Sequence, residues 1–373
     1  MSFSRVPGAD NLYVGGAWAL NLEGHRQKLY DQNVTHVLSV IKFSFDKWGE
    51  EAKRLKHMSI DVMDDSDTDL LVYFSSAVRF IENGLYPSAN DEDKEASEKR
   101  QARDDGTSPG GVYVHCAMGI SRSVTCVIAY LLYKYPHRFG GKQFVPSVTS
   151  AVRRRQTSKE AVQKALEWVR EGRGAASPND GFMRQLEIWW EMGCPAESDS
   201  AVEQHPIYQK WLYERMLKES RDIRQAPEAE QIRFEDEVEL GDEAAEAEAD
   251  KADGREVRCK KCRRILATPK FVVPHTPNPT ERPESPNCAH VFIETLSWMR
   301  PALEGGALEG RLSCPNAKCG ATIGRFAWQG LRCSCGEWIV PAFSLNRSRV
   351  DEVAPRRTDP PAIRLPPGRN GNL

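Results

Sequence analysis

The chain has 373 residues, 40% of them hydrophobic, and its 51 basic and 53 acidic residues leave a formal charge of −2. This length is typical of two domains of about 150 residues each with a linker between them. The composition excludes a wholly disordered, collagen-like or membrane-embedded protein, and the small net charge excludes a global basic field that would attract nucleic acid or lipid.

The first half of the chain alternates strand-like with helix-like segments. Short β-strands are predicted at residues 12–14, 37–41, 58–62 and 112–114. Helices are predicted where apolar residues recur at helical spacing, at residues 70–81, from 157 onward, at 182–189 and at 206–217. Thr157 forms a possible capping box with Glu160, and Asn179 or Asp180 can cap the helix that follows. This alternation predicts an α/β fold with a central sheet flanked by helices.

Two stretches interrupt this pattern. Residues 88–110 are charged, lack apolar periodicity and end in Ser-Pro-Gly, which favours a disordered surface insertion. Nine acidic residues lie between Glu235 and Asp250, which favours a solvated linker, with a binding tail for a basic partner as the alternative. We therefore predict a first domain at residues 1–195, a helix with an acidic linker at 196–255, a second domain at 256–355 and a disordered tail at 356–373.

The ten cysteines are distributed unevenly along the chain. Three lie within the first 194 residues, and seven lie from Cys259 to Cys335. The amino terminus has no positively charged segment followed by an apolar stretch, and the longest apolar run, 124–133, is about half a membrane span. We therefore expect an intracellular protein with no membrane partner, in which disulfide bonds are disfavoured. The uneven distribution indicates two different chemistries.

The most informative stretch is His-Cys-Ala-Met-Gly-Ile-Ser-Arg-Ser at residues 115–123, between a predicted strand and an apolar helix. Such a junction directs backbone N–H groups and the positive helix end at one spot, which makes an anion site. Gly119 permits a backbone turn, and Arg122 can bind two phosphate oxygens. In that field the pKa of the Cys116 thiol should fall below the ~8.5 of a free thiol, so that the thiolate can act as a nucleophile. The alternative is a buried, inert cysteine beside a structural arginine.

This His-Cys-x5-Arg-Ser pattern resembles the signature loop of the cysteine-dependent protein phosphatases, and residues 5–195 resemble their dual-specificity branch through the motifs at 10–16, 69–74 and 177–186. The resemblance implies hydrolysis of phosphotyrosine and phosphoserine or phosphothreonine through a cysteinyl-phosphate intermediate, without a catalytic metal. It implies that Ser123 stabilises the departing thiolate and that His115 orders the loop. It assigns the substrate phosphate to Ala117, Met118, Gly119, Ile120, Ser121 and Arg122.

The family mechanism also needs a general acid, which protonates the leaving oxygen. The candidate loop, residues 61–69, contains five aspartates. Counting back from Phe74 aligns the family's acid with Asp64; Asp65 is the second candidate, and the other three are expected to be solvated or to cap a helix. The five residues between Cys116 and Arg122 are uncharged, whereas related loops that act on inositol phosphates tend to carry Lys there. A phosphoprotein substrate is therefore favoured over a lipid or RNA phosphate.

The second half contains four close pairs of candidate metal ligands. Eight ligands in such spacing match two tetrahedral zinc sites, which would be structural. We expect two Zn²⁺ ions held by Cys259, Cys262, Cys288, His290, Cys314, Cys319, Cys333 and Cys335. His275 is the alternative to His290, and the spacing leaves open which pairs share a metal.

This half also resembles a family, the dual-specificity phosphatases with a C-terminal zinc-binding domain. The motifs that carry the resemblance are at residues 288–294, 308–312 and 333–338. One departure is the spacer of four residues between Cys314 and Cys319, where the family has two.

The second resemblance implies a role in maturation of the large ribosomal subunit, where the family helps to release an assembly factor. The implied partner is a pre-ribosomal particle in the cytoplasm and nucleus. Lys260, Lys261, Arg263 and Arg264 could contact its RNA phosphates, the alternative being ordinary surface charge. The sequence therefore supports two hypotheses, a phosphatase targeted by its zinc domain and an assembly protein whose main role does not need catalysis.

Overall fold

The computed structural model describes residues 3–46, 48, 53–87, 110–140, 148–237, 255–275 and 288–354. The chain forms two compact units, Met1–Trp211 and Leu212–Leu373. Most of the predicted insertion and acidic run, and all of the predicted tail, lie outside the described residues. The predicted domain boundaries stay a prediction.

The first unit contains a five-stranded sheet in the order β1-β2-β5-β3-β4, in which β1 is antiparallel to β2 and the other pairings are parallel. The strands are β1 (Phe3–Arg5), β2 (Leu12–Gly16), β3 (Val34–Ser39), β4 (Lys56–Ser59) and β5 (Gly111–Cys116). The helices are α1 (Trp18–Asn21), α2 (Glu23–Asp31), α3 (Phe74–Leu85), α4 (Arg122–Lys134), α5 (Val148–Gly172) and α6 (Asp180–Glu191), followed by α7 (Pro206–Asp222), within which the units divide. The predicted fold class is confirmed.

Strand β5 lies in the centre of this sheet and leads into the candidate site. Its six residues are all buried, as expected for an apolar strand between parallel neighbours. The register places Cys116 opposite Gly16 and His115 opposite Ser39. Because the carboxyl ends of parallel strands meet at one edge of a sheet, the loop after Cys116 opens at the edge where open α/β sheets bind ligands.

The predicted helix start at Thr157 is wrong, because α5 is continuous from Val148 to Gly172. The Thr157 hydroxyl instead donates to the carbonyl of Arg153, one turn earlier in the same helix. The predicted cap at Asn179 is confirmed, since its side chain accepts the Phe182 N–H at 2.9 Å. Within the described ranges, no helix combines the length and the apolar character needed to cross a membrane.

The second unit consists mainly of short strands. A five-stranded sheet has the order β10-β11-β14-β9-β8, a three-stranded sheet the order β15-β6-β7, and β12 pairs with β13. These strands are β6 (Glu256–Cys259), β7 (Ile265–Ala267), β8 (Val272–Val273), β9 (His290–Ile293), β10 (Glu309–Ser313), β11 (Thr322–Ala327), β12 (Leu331–Arg332), β13 (Trp338–Ile339), β14 (Ala342–Asn346) and β15 (Val350–Val353); the short helix is α8 (Arg300–Leu303). Ile232 and Phe234, in the stretch predicted as helix and linker, are buried in its core.

Candidate functional site

The candidate nucleophile lies at the junction of strand β5 and helix α4. Cys116 is the last residue of β5 and is 1% exposed. Its sulfur accepts hydrogen bonds from the Gly119 N–H at 3.2 Å and from the Ser123 hydroxyl at 3.3 Å. Burial opposes the charged form of Cys116, but hydrogen bonds from Ser123, Gly119 and Ile120 outweigh it and lower the pKa below its ordinary value. These contacts are the ones expected around an activated thiol at Cys116.

The loop after Cys116 is held in its curved form by a glycine and an arginine. Gly119 has a φ of +71°, and a Cβ there would lie 2.2 Å from the carbonyl carbon of Gly15. Arg173 donates to the carbonyls of Gly119 and Met118, at 2.5 Å and 2.9 Å. Arg173 thus holds the loop through its carbonyls, while the Gly119 N–H of the same loop is directed at the Cys116 sulfur. Sequence reasoning missed Arg173, which is far from the motif in the chain and has no local signal.

The structure brings the predicted general acid to this loop. Asp64 Oδ1 accepts from the Ser121 hydroxyl at 2.6 Å and from the Asn179 amide at 3.1 Å. Asp64 Oδ2 lies 3.6 Å from Nε of Arg122, whose Nη1 donates to the carbonyl of Val62. Asp64 thus stands beside the residues expected to hold the phosphate.

Two of the other candidate acids accept hydrogen bonds away from the loop after Cys116. Asp65 Oδ1 accepts the Asp67 N–H at 2.9 Å, within a turn of its own loop. Asp69 accepts the Val72 N–H and, at 2.6 Å, the Tyr208 hydroxyl. These contacts favour Asp64 over Asp65 as the acid.

Behind the loop, His115 is part of a buried polar chain. Its Nε2 lies 2.6 Å from the Ser39 hydroxyl, which lies 2.8 Å from Nε2 of His57. Burial lowers the pKa of His115 to about 4, so the ring is neutral near pH 7. A neutral, fixed ring fits the predicted ordering role of His115. Sequence reasoning missed Ser39 and His57, because nothing near them in the sequence links them to the loop.

The first metal-ligand cluster comprises Cys259, Cys262, Cys314 and Cys319, whose sulfurs lie within 4.8 Å of one another. The closest described approach is 3.5 Å, between the sulfurs of Cys262 and Cys314. The four residues between Cys314 and Cys319 form a turn, in which the carbonyl of Asn316 accepts the Cys319 N–H. The two extra residues therefore leave Cys319 in reach of the cluster. Four thiolates at such separations suit a structural Zn²⁺ ion.

The second cluster corrects one predicted ligand. It comprises His275, Cys288, Cys333 and Cys335, again within 4.8 Å. His275 replaces the predicted His290, because the segment after β8 brings its Nε2 to 3.2 Å from the Cys288 sulfur. Strand pairing instead places His290 opposite Asn346, where its ring lines a separate cleft. The donor set of three sulfurs and one imidazole also suits Zn²⁺.

Comparison with known proteins gives relatives that align over most of the chain. No family model matches the chain. It is 33% identical to the tyrosine-protein phosphatase YVH1 of Saccharomyces cerevisiae, over 91% of this chain and 89% of that protein. It is 29% identical to the human dual specificity protein phosphatase 12, over 92% of this chain and 86% of that protein. The crystal structure of the Yvh1 phosphatase domain from Chaetomium thermophilum is 46% identical, covers 52% of this chain and 99% of that one, and superposes with a TM-score of 0.42.

Proposed function

The chain belongs to the dual-specificity protein phosphatases that include the Yvh1 enzymes, and we propose that its two units carry two functions. The first unit hydrolyses phosphotyrosine and phosphoserine or phosphothreonine in a phosphoprotein. The second unit acts in maturation of the large ribosomal subunit. The observation that supports the first function is the convergence of Cys116, Arg122 and Asp64 around one loop.

The reaction begins when the loop N–H groups and Arg122 bind the phosphate oxygens. The Cys116 thiolate attacks phosphorus, the bond to the leaving oxygen breaks, and protonated Asp64 donates its proton to that oxygen. In the second step a water attacks the cysteinyl-phosphate, Asp64 accepts its proton, and the sulfur–phosphorus bond breaks. The hydroxyl of Ser123, 3.3 Å from the sulfur, stabilises the thiolate as it departs. Ser121 and Asn179 position Asp64 for both transfers.

The substrate range is tested on the purified full chain. Phosphotyrosine, phosphoserine and phosphothreonine peptides and a phosphoinositide in detergent are compared by phosphate release. We expect turnover of all three peptides and little turnover of the phosphoinositide, since the loop between Cys116 and Arg122 lacks basic side chains. Cys116→Ser is the control for contaminating phosphatase. Faster turnover of the phosphoinositide than of any peptide would contradict the proposal.

The second function is supported by two four-ligand clusters in a unit separate from the catalytic loop. We assign to them two structural Zn²⁺ ions, and to the unit a pre-ribosomal large-subunit particle as its partner, met in the cytoplasm and nucleus. In the other candidate function this association is the main role and needs no catalysis. Sedimentation of tagged protein from cells tests the partner, because it should travel with large-subunit precursors. A chain found only at the top of the gradient would refute it.

A further inference from the structure

One face of the five-stranded sheet in the second unit carries a cleft to which no ligand is assigned above. The cleft has a volume of about 360 Å³. Its lining includes His290, Thr322, Ser344 and three arginines, Arg311, Arg325 and Arg349, after which we name it the arginine cleft. Among the described residues, no acidic side chain lines it.

The arginines of the cleft are arranged unfavourably for a protein without a ligand. Arg311 of β10 is the direct cross-strand partner of Arg325 of β11. Like charges that face each other across an antiparallel pair destabilise a sheet. None of the three arginines forms an ion pair with any residue that the structure describes, whereas the half-buried Arg300 binds Glu237 and Glu304. The cleft therefore concentrates positive charge that the described part of the chain does not neutralise.

Two polar side chains of the lining lie beside the arginines. Ser344, on the strand next to Arg325, donates its hydroxyl to the Arg325 carbonyl at 3.0 Å and so helps to hold the strand that carries Arg325. Nδ1 of His290 is buried without a hydrogen-bond partner among the described residues. Planar guanidinium groups bind phosphate through paired hydrogen bonds. Phosphate is thus the chemical group that the cleft fits.

The positive surface continues beyond the cleft. The carbonyl of Arg349 accepts the N–H of Lys260 at 3.0 Å, which joins the cleft to the loop of the first metal-ligand cluster. Lys260 and Lys261 are both exposed on that loop. A single phosphorylated side chain would use only part of such a surface, whereas a chain of phosphates can use all of it.

We infer that the arginine cleft binds the phosphate backbone of a nucleic acid, which is RNA in the ribosomal setting. The inference names a site for the second proposed function and rests on that function only for its place in the cell. The net charge of −2 gives no sign of such a site, because the positive charge is local to one sheet face. Backbone binding also predicts affinity that falls steeply with salt concentration.

The test measures binding of zinc-loaded full chain to a fluorescent single-stranded RNA, by anisotropy at several salt concentrations. The RNA has hydroxyl ends, so that it offers no phosphomonoester to the catalytic loop. Arg325→Gln should weaken binding about tenfold, the scale of one charge-assisted hydrogen bond, and lower the salt slope by about 1. Arg300→Gln, with the same charge change at an ion-paired arginine, should bind as the unmodified chain does. Zinc content and circular dichroism of the variants should be unchanged.

Equal binding by the Arg325→Gln and Arg300→Gln variants would overturn the inference. It would also be overturned if a phosphoserine peptide displaced the RNA at lower concentration than an unlabelled RNA, since the ligand would then be a protein. RNA binding that depends on Arg311 and Arg325, in a chain that does not sediment with ribosomal precursors, would remove the ribosomal proposal and leave the inference standing. A chain that sediments with ribosomal precursors, but whose RNA binding does not depend on Arg311 and Arg325, would remove the inference and leave the ribosomal proposal standing.

Discussion

The hydroxyl of Ser121 lies 2.6 Å from Oδ1 of Asp64 and donates a hydrogen bond to it. Ser121 is the last residue before helix α4, so the phosphate-binding loop itself holds the candidate acid. Asn179, the cap of helix α6, donates to the same oxygen at 3.1 Å. Asp65 is adjacent in sequence, but its carboxylate accepts the Asp67 N–H in a turn. The two neighbouring aspartates thus have different contacts, which favour Asp64 as the acid.

Replacing Asp64 should remove the general acid. We expect Asp64→Ala to lower kcat by about 10²-fold or more, the usual scale for acid–base catalysis, with the largest loss for substrates whose leaving oxygen is most basic. The matched control is Asp65→Ala, which should lose much less. Both variants are assayed with a series of aryl phosphates of different leaving-group pKa. A larger loss in Asp65→Ala would show that the assignment of the acid is wrong.

The pH dependence of catalysis should follow the ionisation of Cys116. Its pKa is lowered by hydrogen bonds that include the one from Ser123, and the thiolate is the reactive form. Ser123→Ala removes that donor, so the pKa of Cys116 should rise and the acidic limb of kcat/KM should move to higher pH. The loss of activity is then greatest at low pH. Alkylation of Cys116 by iodoacetate across the same pH range measures the pKa directly, and an unchanged midpoint would contradict this account.

Arg173 should act as a positioning residue for the phosphate-binding loop. It donates to two loop carbonyls, and losing one hydrogen bond to a charged group costs roughly tenfold or more in binding. We expect Arg173→Met to raise KM and the inhibition constant of inorganic phosphate. Arg170→Met is the matched control, because Arg170 also donates to a carbonyl, that of Ala176, outside the loop. Equal effects of the two changes would indicate a general loss of stability.

The sequence predicted the parts of the site that are contiguous in the chain. Cys116 and Arg122 share one loop, and the strand before them is buried throughout, so both the chemistry and the fold were visible locally. Ser39, His57 and Arg173 reach the loop from separate elements, and only the tertiary structure brings them there.

Elements without a clear apolar pattern were also missed. Helix α2 buries only Leu29, so it shows no apolar stripe in the sequence. The strands of the second unit have two to six residues, too few for a periodicity to be recognised. His275 was ranked below His290 because spacing favours a ligand close to Cys288, whereas a ligand 13 residues away depends on the path of the intervening chain.

Metal analysis should distinguish the two histidines. The full chain should contain two zinc ions, and His275→Ala should lose or weaken one of them, because the second cluster would keep only three ligands. His290→Ala should retain both, since its ring lies in the arginine cleft. Zinc released by a chelator is counted for each variant. Loss of zinc from His290→Ala but not from His275→Ala would restore the original ligand set.

The two proposed functions should separate when each unit is damaged alone. Cys116→Ser exchanges one atom in the catalytic loop and changes none of the eight residues of the ligand clusters, so it should abolish dephosphorylation and leave large-subunit assembly nearly normal. Cys333→Ser removes a ligand of the second cluster, and because structural zinc supplies much of the stability of a small domain, it should impair assembly while the phosphatase keeps its turnover. Both are scored by large-subunit abundance in cells that lack the protein. If expressed, zinc-loaded Cys116→Ser chain failed to restore the subunits, dephosphorylation would be a step of assembly, and the separation of the two functions would have to be abandoned.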